Sequence, residues 1–492
     1  MDLLAADDVA RLRSALRAAG FTYDGVAAAL GGTAHAALSR NETTPGLRAT
    51  RGGSPLETLT RLWLLQTAVP LAEAERALPD LVDPLCLAGV LERSHGEVRA
   101  RVDVRPYADE DHDWWVMSDL TPGLDGTGQR VGPDHVLGVS SASTSLAQLT
   151  VRDPVARALD LGTGCGVQGL HLAEHVAEIV ATDVNERALA MARLNAALNE
   201  VRLDVRAGNL FEPVAGELFD LVVTNPPFVI SPGTGERLVY RDSGLPGDEL
   251  VRRVVTQGPR LLAEGGWCQV LANWVHRRGE PWQDRVAGWL DGSRCDAWAV
   301  QREVADPAQY VELWLRDAGL HGTPGYAERY DTWLAWFEDQ GIDAVGFGWV
   351  NLHRVDREPV LRLEEWPYDV EQPLGPEVRD WGRRTAALTG LSDEALLAAR
   401  LTTRVDVRQE TLGAPGAEDP ETIVLRQQRG MRRAAKTGTV GAALVGACDG
   451  DLTVGQIMDA LATLLETDPV EVRREHLTAV RDLVADGFLA LG

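Results

Sequence analysis

Cysteine is scarce and scattered. The five cysteines, Cys86, Cys165, Cys268, Cys295 and Cys448, lie far apart and form no C-x-x-C pair. That spacing argues against a disulfide framework and a thiolate zinc site, and it fits a reducing cytoplasm. Lysine is nearly missing: Lys436 is the only one, and arginine supplies the other basic side chains, as codon usage in a GC-rich genome would produce. Basic charge as a whole is short, with 48 Lys+Arg against 73 Asp+Glu, a net charge of −25 and a pI near 4.8. Such a field repels phosphate backbones unless a local basic stripe overrides it. No apolar run is long enough to cross a bilayer. The opening stretch "MDLLAADDVARLRSALRAAG" carries acids where a secretory signal carries bases. The expectation is a cytoplasmic protein with neither a membrane segment nor a metal.

What is present is ordinary globular material. The chain has 492 residues, 45% hydrophobic and 25% charged, enough for two to four domains. Residues 1 to 125 read as a helical N-terminal domain. "SPLETLTRLWLLQ" holds a capping box, with Ser54 as N-cap, Pro55 at the first helical position and Glu57 reaching back. A helix and a two-strand wing follow, which makes this region winged-helix-like. Residues 363 to 492 read as a second winged-helix-like domain, with three amphipathic helices and a short terminal strand. Within it, "RQQRGMRRAAK" (Arg426 to Lys436) is a dense basic cluster. It reads as a solvated or docking face, with an RNA contact as the sharper alternative.

Between these ends, residues 126 to 362 alternate strands and helices. "VARALDLG", "AEIVATD", "VRLDVRAGN" and "FDLVVTN" are short apolar strands, and "VQGLHLAEH" and "NERALAMARLNAALNE" are helices between them. Asn185 can cap the second. "GDELVRRVVTQGPRLLAEGG" reads as a further helix ended by a Gly pair, followed by the strand "WCQVLANWVH". "CDAWAVQRE" and "DAVGFGWVNLHR" read as two last strands. Two aromatic helices lie between them, carrying Trp314, Tyr326, Tyr330, Trp333, Trp336 and Phe337. These aromatics predict a helix–helix core, with a substrate lid as the alternative. The alternation implies an α/β fold, a doubly wound, mostly parallel sheet covered on both faces.

The turn in "ALDLGTGCGVQGLHLAEH" places Gly162, Gly164 and Gly166 where the backbone must bend tightly and admit a ligand. The helix after it points its N–H groups at whatever sits there. Asp160 precedes the turn, and a carboxylate suits an ammonium group better than a pyrophosphate. Asp183 ends the next strand, roughly 20 residues on, where an acid accepts from both ribose hydroxyls. Asn209 ends the strand after that, and its amide can bond an adenine edge. Ammonium, ribose and adenine in that order describe S-adenosyl-L-methionine. A nicotinamide dehydrogenase is the rival, and Asp160 speaks against it.

On these residues the middle of the chain resembles the class I methyltransferases, which bind this cofactor across the carboxyl ends of a doubly wound sheet with an antiparallel last strand. Many relatives carry aspartate where Asn209 stands. Thr144 or Ser145, in "GVSSASTSLAQL", either nears the cofactor carboxylate or simply caps a helix.

"NPPF", Asn225 to Phe228, resembles the motif of N-methylating members: the release-factor glutamine methyltransferases, the ribosomal RNA amine enzymes and other "methyltransferase small" types. The resemblance implies that the Asn225 side-chain oxygen and the Pro226 carbonyl accept the two N–H bonds of a planar amide or exocyclic amine. It also implies that Phe228 stacks on that flat group. The two acceptors hold a weakly nucleophilic nitrogen and let it pyramidalise, so positioning supplies most of the catalysis and no His, Lys or Cys is required. Tyr240 or Arg241, in the Gly/Pro-rich loop after the motif, touch substrate or merely connect. The implied acceptor is a macromolecule, either a glutamine-type side chain of a protein or an RNA base. A small amine metabolite, an adenine in nucleic acid and a non-catalytic binding module remain as alternatives.

Overall fold

The computed structural model describes residues 4–126, 132, 134–233, 244–415 and 420–492. Two compact units emerge: Met1–Ala147 with Asp153–Trp366, and Gln148–Arg152 with Pro367–Gly492.

The first unit opens with helices α1 (Ala6–Ala18), α2 (Tyr23–Leu38), α3 (Thr44–Ala49) and α4 (Pro55–Leu59). The reciprocal cap read from the sequence starts α4. The Ser54 hydroxyl accepts from the Glu57 N–H, and the Glu57 carboxylate accepts from the Ser54 N–H. Next come β1 (Val69–Pro70), α5 (Leu71–Ala77), α6 (Val82–Leu87), β2 (Leu91–Ser94) and β3 (Glu97–Ala100). These strands form a small antiparallel sheet in the order β1-β3-β2: β2 and β3 are the two strands read from the sequence, and β1 adds a third that was not expected. β4 (Asp103–Ala108) and β5 (Asp113–Ser118) make an antiparallel hairpin.

Then follow α7 (Ser141–Leu149), β6 (Val155–Leu161), α8 (Val167–Leu172), β7 (Val176–Asp183), α9 (Glu186–Leu198), β8 (Asp204–Ala207), β9 (Phe219–Thr224) and α10 (Glu249–Gln257). β10 (Leu262–Arg277), α11 (Trp282–Leu290), β11 (Cys295–Ala305), α12 (Pro307–Asp317), α13 (Tyr326–Asp339), β12 (Ile342–Arg354) and β13 (Leu361–Glu365) complete the unit. The central sheet has eight strands in the order β13-β11-β12-β10-β9-β6-β7-β8. β8, β7, β6, β9 and β10 run parallel, and β12 runs antiparallel to both its neighbours. This is the doubly wound α/β sheet expected from the sequence. Strands covered on both faces read as unbroken apolar runs, and Leu221, Val222 and Val223 are accordingly buried.

Two readings change. β13 extends the sheet beyond the two last strands expected, pairing parallel with β11. The helix read across "GDELVRRVVTQGPRLLAEGG" stops at Gln257, and β10 already starts at Leu262. Gly258 keeps helical dihedrals, but Pro259 has no N–H to continue the α-helical ladder, and Gly258–Leu261 tighten into a 3-10 turn that leads into β10. The glycine pair sits inside the strand instead. Gly265 takes φ +75°, and a Cβ on Gly266 would stand 3.1 Å from two carbonyl oxygens of β9. The pair therefore makes an irregularity between the Leu262 and Trp267 pairings.

One core joins the first helices and wing to the outer faces of α8 and α9, including Trp63, Trp115, Leu170, Met191 and Leu198. Another fills the space between the sheet and α10 and α11, around Phe219, Trp274 and Trp282. In a third, Trp314, Trp333 and Phe337 of α12 and α13 are buried with Val229 and Ile230, and Tyr326, Tyr330 and Trp336 pack against them. The aromatic helices thus form the packed helix–helix core expected from the sequence.

The second unit holds α14 (Gly375–Leu388), α15 (Asp393–Ala398), β14 (Arg400–Thr403), β15 (Val407–Leu412), β16 (Thr422–Gln427) and β17 (Ala434–Thr437). α16 (Thr439–Gly446), β18 (Asp449–Thr453), α17 (Val454–Leu464), α18 (Pro469–Ala485) and β19 (Leu489–Leu491) close it. Two three-stranded antiparallel sheets, β18-β14-β19 and β15-β16-β17, accompany the helices. The basic cluster is partly spent inside the fold. Arg426 pairs with Glu410 at 2.8 Å and Arg433 is buried, while Arg429, Arg432 and Lys436 are exposed. No helix among the described residues is long and apolar enough to cross a membrane.

Candidate functional site

Register brings the singled-out residues to one edge. Leu161 of β6 pairs with Thr182 of β7 and with Thr224 of β9. One residue further along each strand stand Gly162, Asp183 and Asn225, level with one another at the carboxyl ends. Chain connections leave β6 toward β7 on one side and return to β9 on the other, so these tips flank the crevice where open α/β sheets take ligands. Three bonds tie the tips together. The Thr224 hydroxyl donates to the Leu161 carbonyl at 2.8 Å, and the Gly162 and Thr163 N–H groups both donate to the Thr182 carbonyl at 2.9 Å.

Gly162, Gly164 and Gly166 all adopt positive φ, at 73°, 57° and 86°. A Cβ on Gly162 or Gly164 would meet nothing within 4 Å, so the turn faces open space. A Cβ on Gly166 would stand 3.2 Å from the Ala192 Cα, so this glycine lets α8 approach α9.

Asp160 lies beneath the turn, 1% exposed, and accepts from the Thr163 hydroxyl at 2.5 Å. Burial pushes its carboxyl up to about 7, nearby Asp183 adds to the rise, and the Thr163 bond opposes it. Asp183 stands higher and is half-buried. Its Oδ2 accepts from the Gly164 N–H at 3.0 Å and its Oδ1 from the Asn185 N–H at 2.9 Å. Burial raises this carboxyl also, against the pull of those N–H bonds. Each oxygen keeps a second lone pair for a ligand hydroxyl. Asn185 caps α9, accepting from the Arg187 N–H at 3.0 Å. Asn209 is placed two residues past the end of β8 rather than on it, exposed after Gly208.

The motif after β9 divides by burial. Asn225 and Phe228 are half-buried, Pro226 is buried and Pro227 exposed. Oδ1 of Asn225 is buried with no hydrogen-bond partner. An acceptor left empty in the interior costs about 1–3 kcal/mol, so this oxygen at the strand tip is one that a ligand donor could satisfy. Phe228 meets Trp314 edge-on, with centroids 6.1 Å apart.

Some expectations fall elsewhere. Thr144 donates its hydroxyl to the carbonyl of Ser140, the residue before α7, while Ser145 is exposed on that helix. Tyr240 and Arg241 lie outside the described residues. The thiol of Cys165, inside the glycine turn, is buried and pushed up to about 12, so it stays protonated. Sequence reasoning missed Thr163, Thr224 and Gln168. The Gln168 amide donates to the Ser143 carbonyl at 2.7 Å and ties α7 to α8. Only their adjacency to the quoted turn and strand tip could have signalled them. Away from the strand tips, Asp109, His112 and Glu174 bring ligand atoms within 4.8 Å of one another, a grouping able to hold a cation.

The donor set fits the cofactor read from the sequence: an open glycine cradle, a buried acid below it, a second acid with free lone pairs, and an empty amide oxygen across the crevice. Residues 18–101 and 379–491 each match a domain of unknown function. The chain is 32% identical over 126 residues to a release factor glutamine methyltransferase of Geobacter sulfurreducens, a match covering 23% of this chain and 44% of that protein. It is 38% identical over 130 residues to a ribosomal protein uL3 glutamine methyltransferase of Bordetella pertussis, covering 24% and 44%. A solved methyltransferase from Pyrococcus furiosus overlays with a TM-score of 0.26 at 14% identity, covering 44% of this chain and 84% of that one. The chain thus spans under half the length of these two curated relatives. Residues 138–278, from before β6 to the end of β10, match the methyltransferase small domain.

Proposed function

We propose that this chain is an S-adenosyl-L-methionine-dependent N-methyltransferase acting on a planar amide, in the first place a glutamine-type side chain of a protein. Residues 126–362 form the catalytic segment in this reading, and residues 1–125 and 363–492 are flanking domains that meet the acceptor. The observation that carries the proposal is the buried, unpartnered Oδ1 of Asn225, level with the glycine turn.

The cofactor supplies an electrophilic methyl group. Asp160 is the buried counter-charge for an ammonium group, Asp183 accepts from the ribose hydroxyls, and Asn209 faces the adenine edge. Gly162, Gly164 and Gly166 shape the cradle. Asn225 Oδ1 and the Pro226 carbonyl accept the two N–H bonds of the acceptor. They turn its lone pair out of conjugation and toward the methyl group, and Phe228 lies against the flat group. Both acceptors are fixed before substrate arrives, so orientation supplies the rate enhancement. The extra proton of the methylated nitrogen leaves readily to solvent, which removes the need for a strong base.

An RNA base is the second reading, favoured by exposed Arg429, Arg432 and Lys436. Incubating a lysate from cells lacking this gene with tritiated cofactor tests both. Label that survives ribonuclease and is lost to protease supports the protein amide; the reverse supports RNA. Asn225→Ala should lower incorporation at least a hundredfold and leave cofactor affinity within about twofold. Full activity in that variant would refute the assignment.

A further inference from the structure

The motif is held from a side that lies outside the matched methyltransferase segment. Its two prolines offer no N–H, so the peptide from Asn225 to Phe228 must be fixed largely by what flanks it. On one flank, Thr224 is tied to the Leu161 carbonyl. On the other, the Ile230 N–H donates to the Tyr310 hydroxyl at 2.8 Å. Tyr310 belongs to α12 and is wholly buried. The Asn273 amide of β10 lies 3.5 Å from the same oxygen. The Tyr310 ring is wedged among Trp314, Phe337 and Phe347, with centroids 6.0, 6.0 and 5.7 Å away. Trp314, one turn further along α12, is also the ring that meets Phe228. A single helix therefore grips both the aromatic residue of the motif and the backbone two residues beyond it.

We propose that Tyr310 is a positioning residue for methyl transfer. Its hydroxyl fixes Ile230, and through that short tether it sets where Asn225 Oδ1 and Phe228 stand relative to the cofactor cradle. The inference rests on the role given to Asn225 above. A tyrosine suits the task because its stem is rigid and its hydroxyl ends at a defined point. Phenylalanine would fill the same space and leave the Ile230 N–H without its acceptor.

The test compares Tyr310→Phe, Val311→Ala and Asn225→Ala in the full chain. The acceptor is a soluble-protein extract from cells lacking this gene, and the donor is tritiated cofactor. Val311 is the buried neighbour on α12, so Val311→Ala trims packing without touching the hydroxyl. Tyr310→Phe should lower the rate at saturating cofactor at least tenfold, with cofactor KM within twofold of wild type. Hydrogen exchange at the Ile230 amide should speed up at least tenfold. Val311→Ala should lower Tm and keep the rate and the exchange within twofold. A wild-type rate in Tyr310→Phe, with Asn225→Ala inactive, would overturn this proposal alone. So would an equal loss of rate in Val311→Ala, or an Ile230 amide in the wild type that exchanges as fast as an open loop. An active Asn225→Ala would overturn both this proposal and the functional reading beneath it.

Discussion

Replacing Asp160 by asparagine should stabilise the protein while removing its cofactor binding. The carboxyl is 1% exposed and is raised from 3.8 to about 7, chiefly by burial. A raised acid holds its proton in the folded state over a pH range where the unfolded chain has released it. Folding is therefore most favoured below the unfolded value. Stability falls as pH climbs from near 4 to near 7 and levels off above that. A shift of about three units corresponds to roughly 4 kcal/mol at pH 8. Asparagine is neutral throughout and still accepts from Thr163, so the variant escapes the penalty. Urea unfolding at pH 5, 6, 7 and 8, followed by tryptophan fluorescence, reads the difference between the two proteins, and other titrating groups cancel. The gap should widen by about 1.4 kcal/mol per unit up to pH 7 and then flatten. Wild-type protein should gain about 2.7 kcal/mol from cofactor at one hundred times its Kd, and the variant none. Cofactor affinity of the wild type should fall about tenfold for each pH unit below 7, because the acid must lose its proton to face an ammonium group. A gap that ignores pH, or a variant that binds cofactor as well as wild type, would refute both the buried charge and its role.

Other consequences are as direct. Asp183→Ala removes both acceptors offered to the ribose; at about 1.5–3 kcal/mol for charged bonds, titration calorimetry should show cofactor Kd rising at least a hundredfold. Gly166→Ala forces a side chain into φ +86° and against Ala192 at 3.2 Å; calorimetry should show a loss of about 1–3 kcal/mol at the α8–α9 contact.

The candidate site was legible because its physics is local. A glycine turn between a strand and a helix, acids at strand ends and a proline-stiffened tip each leave a mark within a few residues. Parallel strands then align those marks by register alone. What escaped the reading depends on partners distant in sequence. β13 is short and half-exposed, and only its pairing with β11 makes it a strand. The helix read past Gln257 had the right periodicity, but the bulge at Gly265–Gly266 answers to the carbonyls of β9. Tyr310 was not singled out at all, since nothing in its neighbourhood announces that its hydroxyl meets an N–H 80 residues upstream. Of the second unit's strands only the terminal one, β19, was read; β14 to β18 were overlooked in a stretch where charge and loop composition masked the alternation.

The asparagines of α9 have a mechanical consequence. The Asn195 amide brackets Met117, accepting from its N–H at 2.7 Å and donating to its carbonyl at 2.8 Å. One turn on, Asn199 does the same to Trp115 at 2.9 and 2.8 Å. Two side chains thus impersonate a missing strand and weld the β4–β5 hairpin to the helix whose first turn begins beside Asp183. From the other direction Arg13 plugs the end of α9, donating to the Leu198 and Ala197 carbonyls. The hairpin and α1 are thus both bonded to the helix that starts beside Asp183. In the proposed reading, an acceptor held by the leading helices would meet the crevice through these bonds.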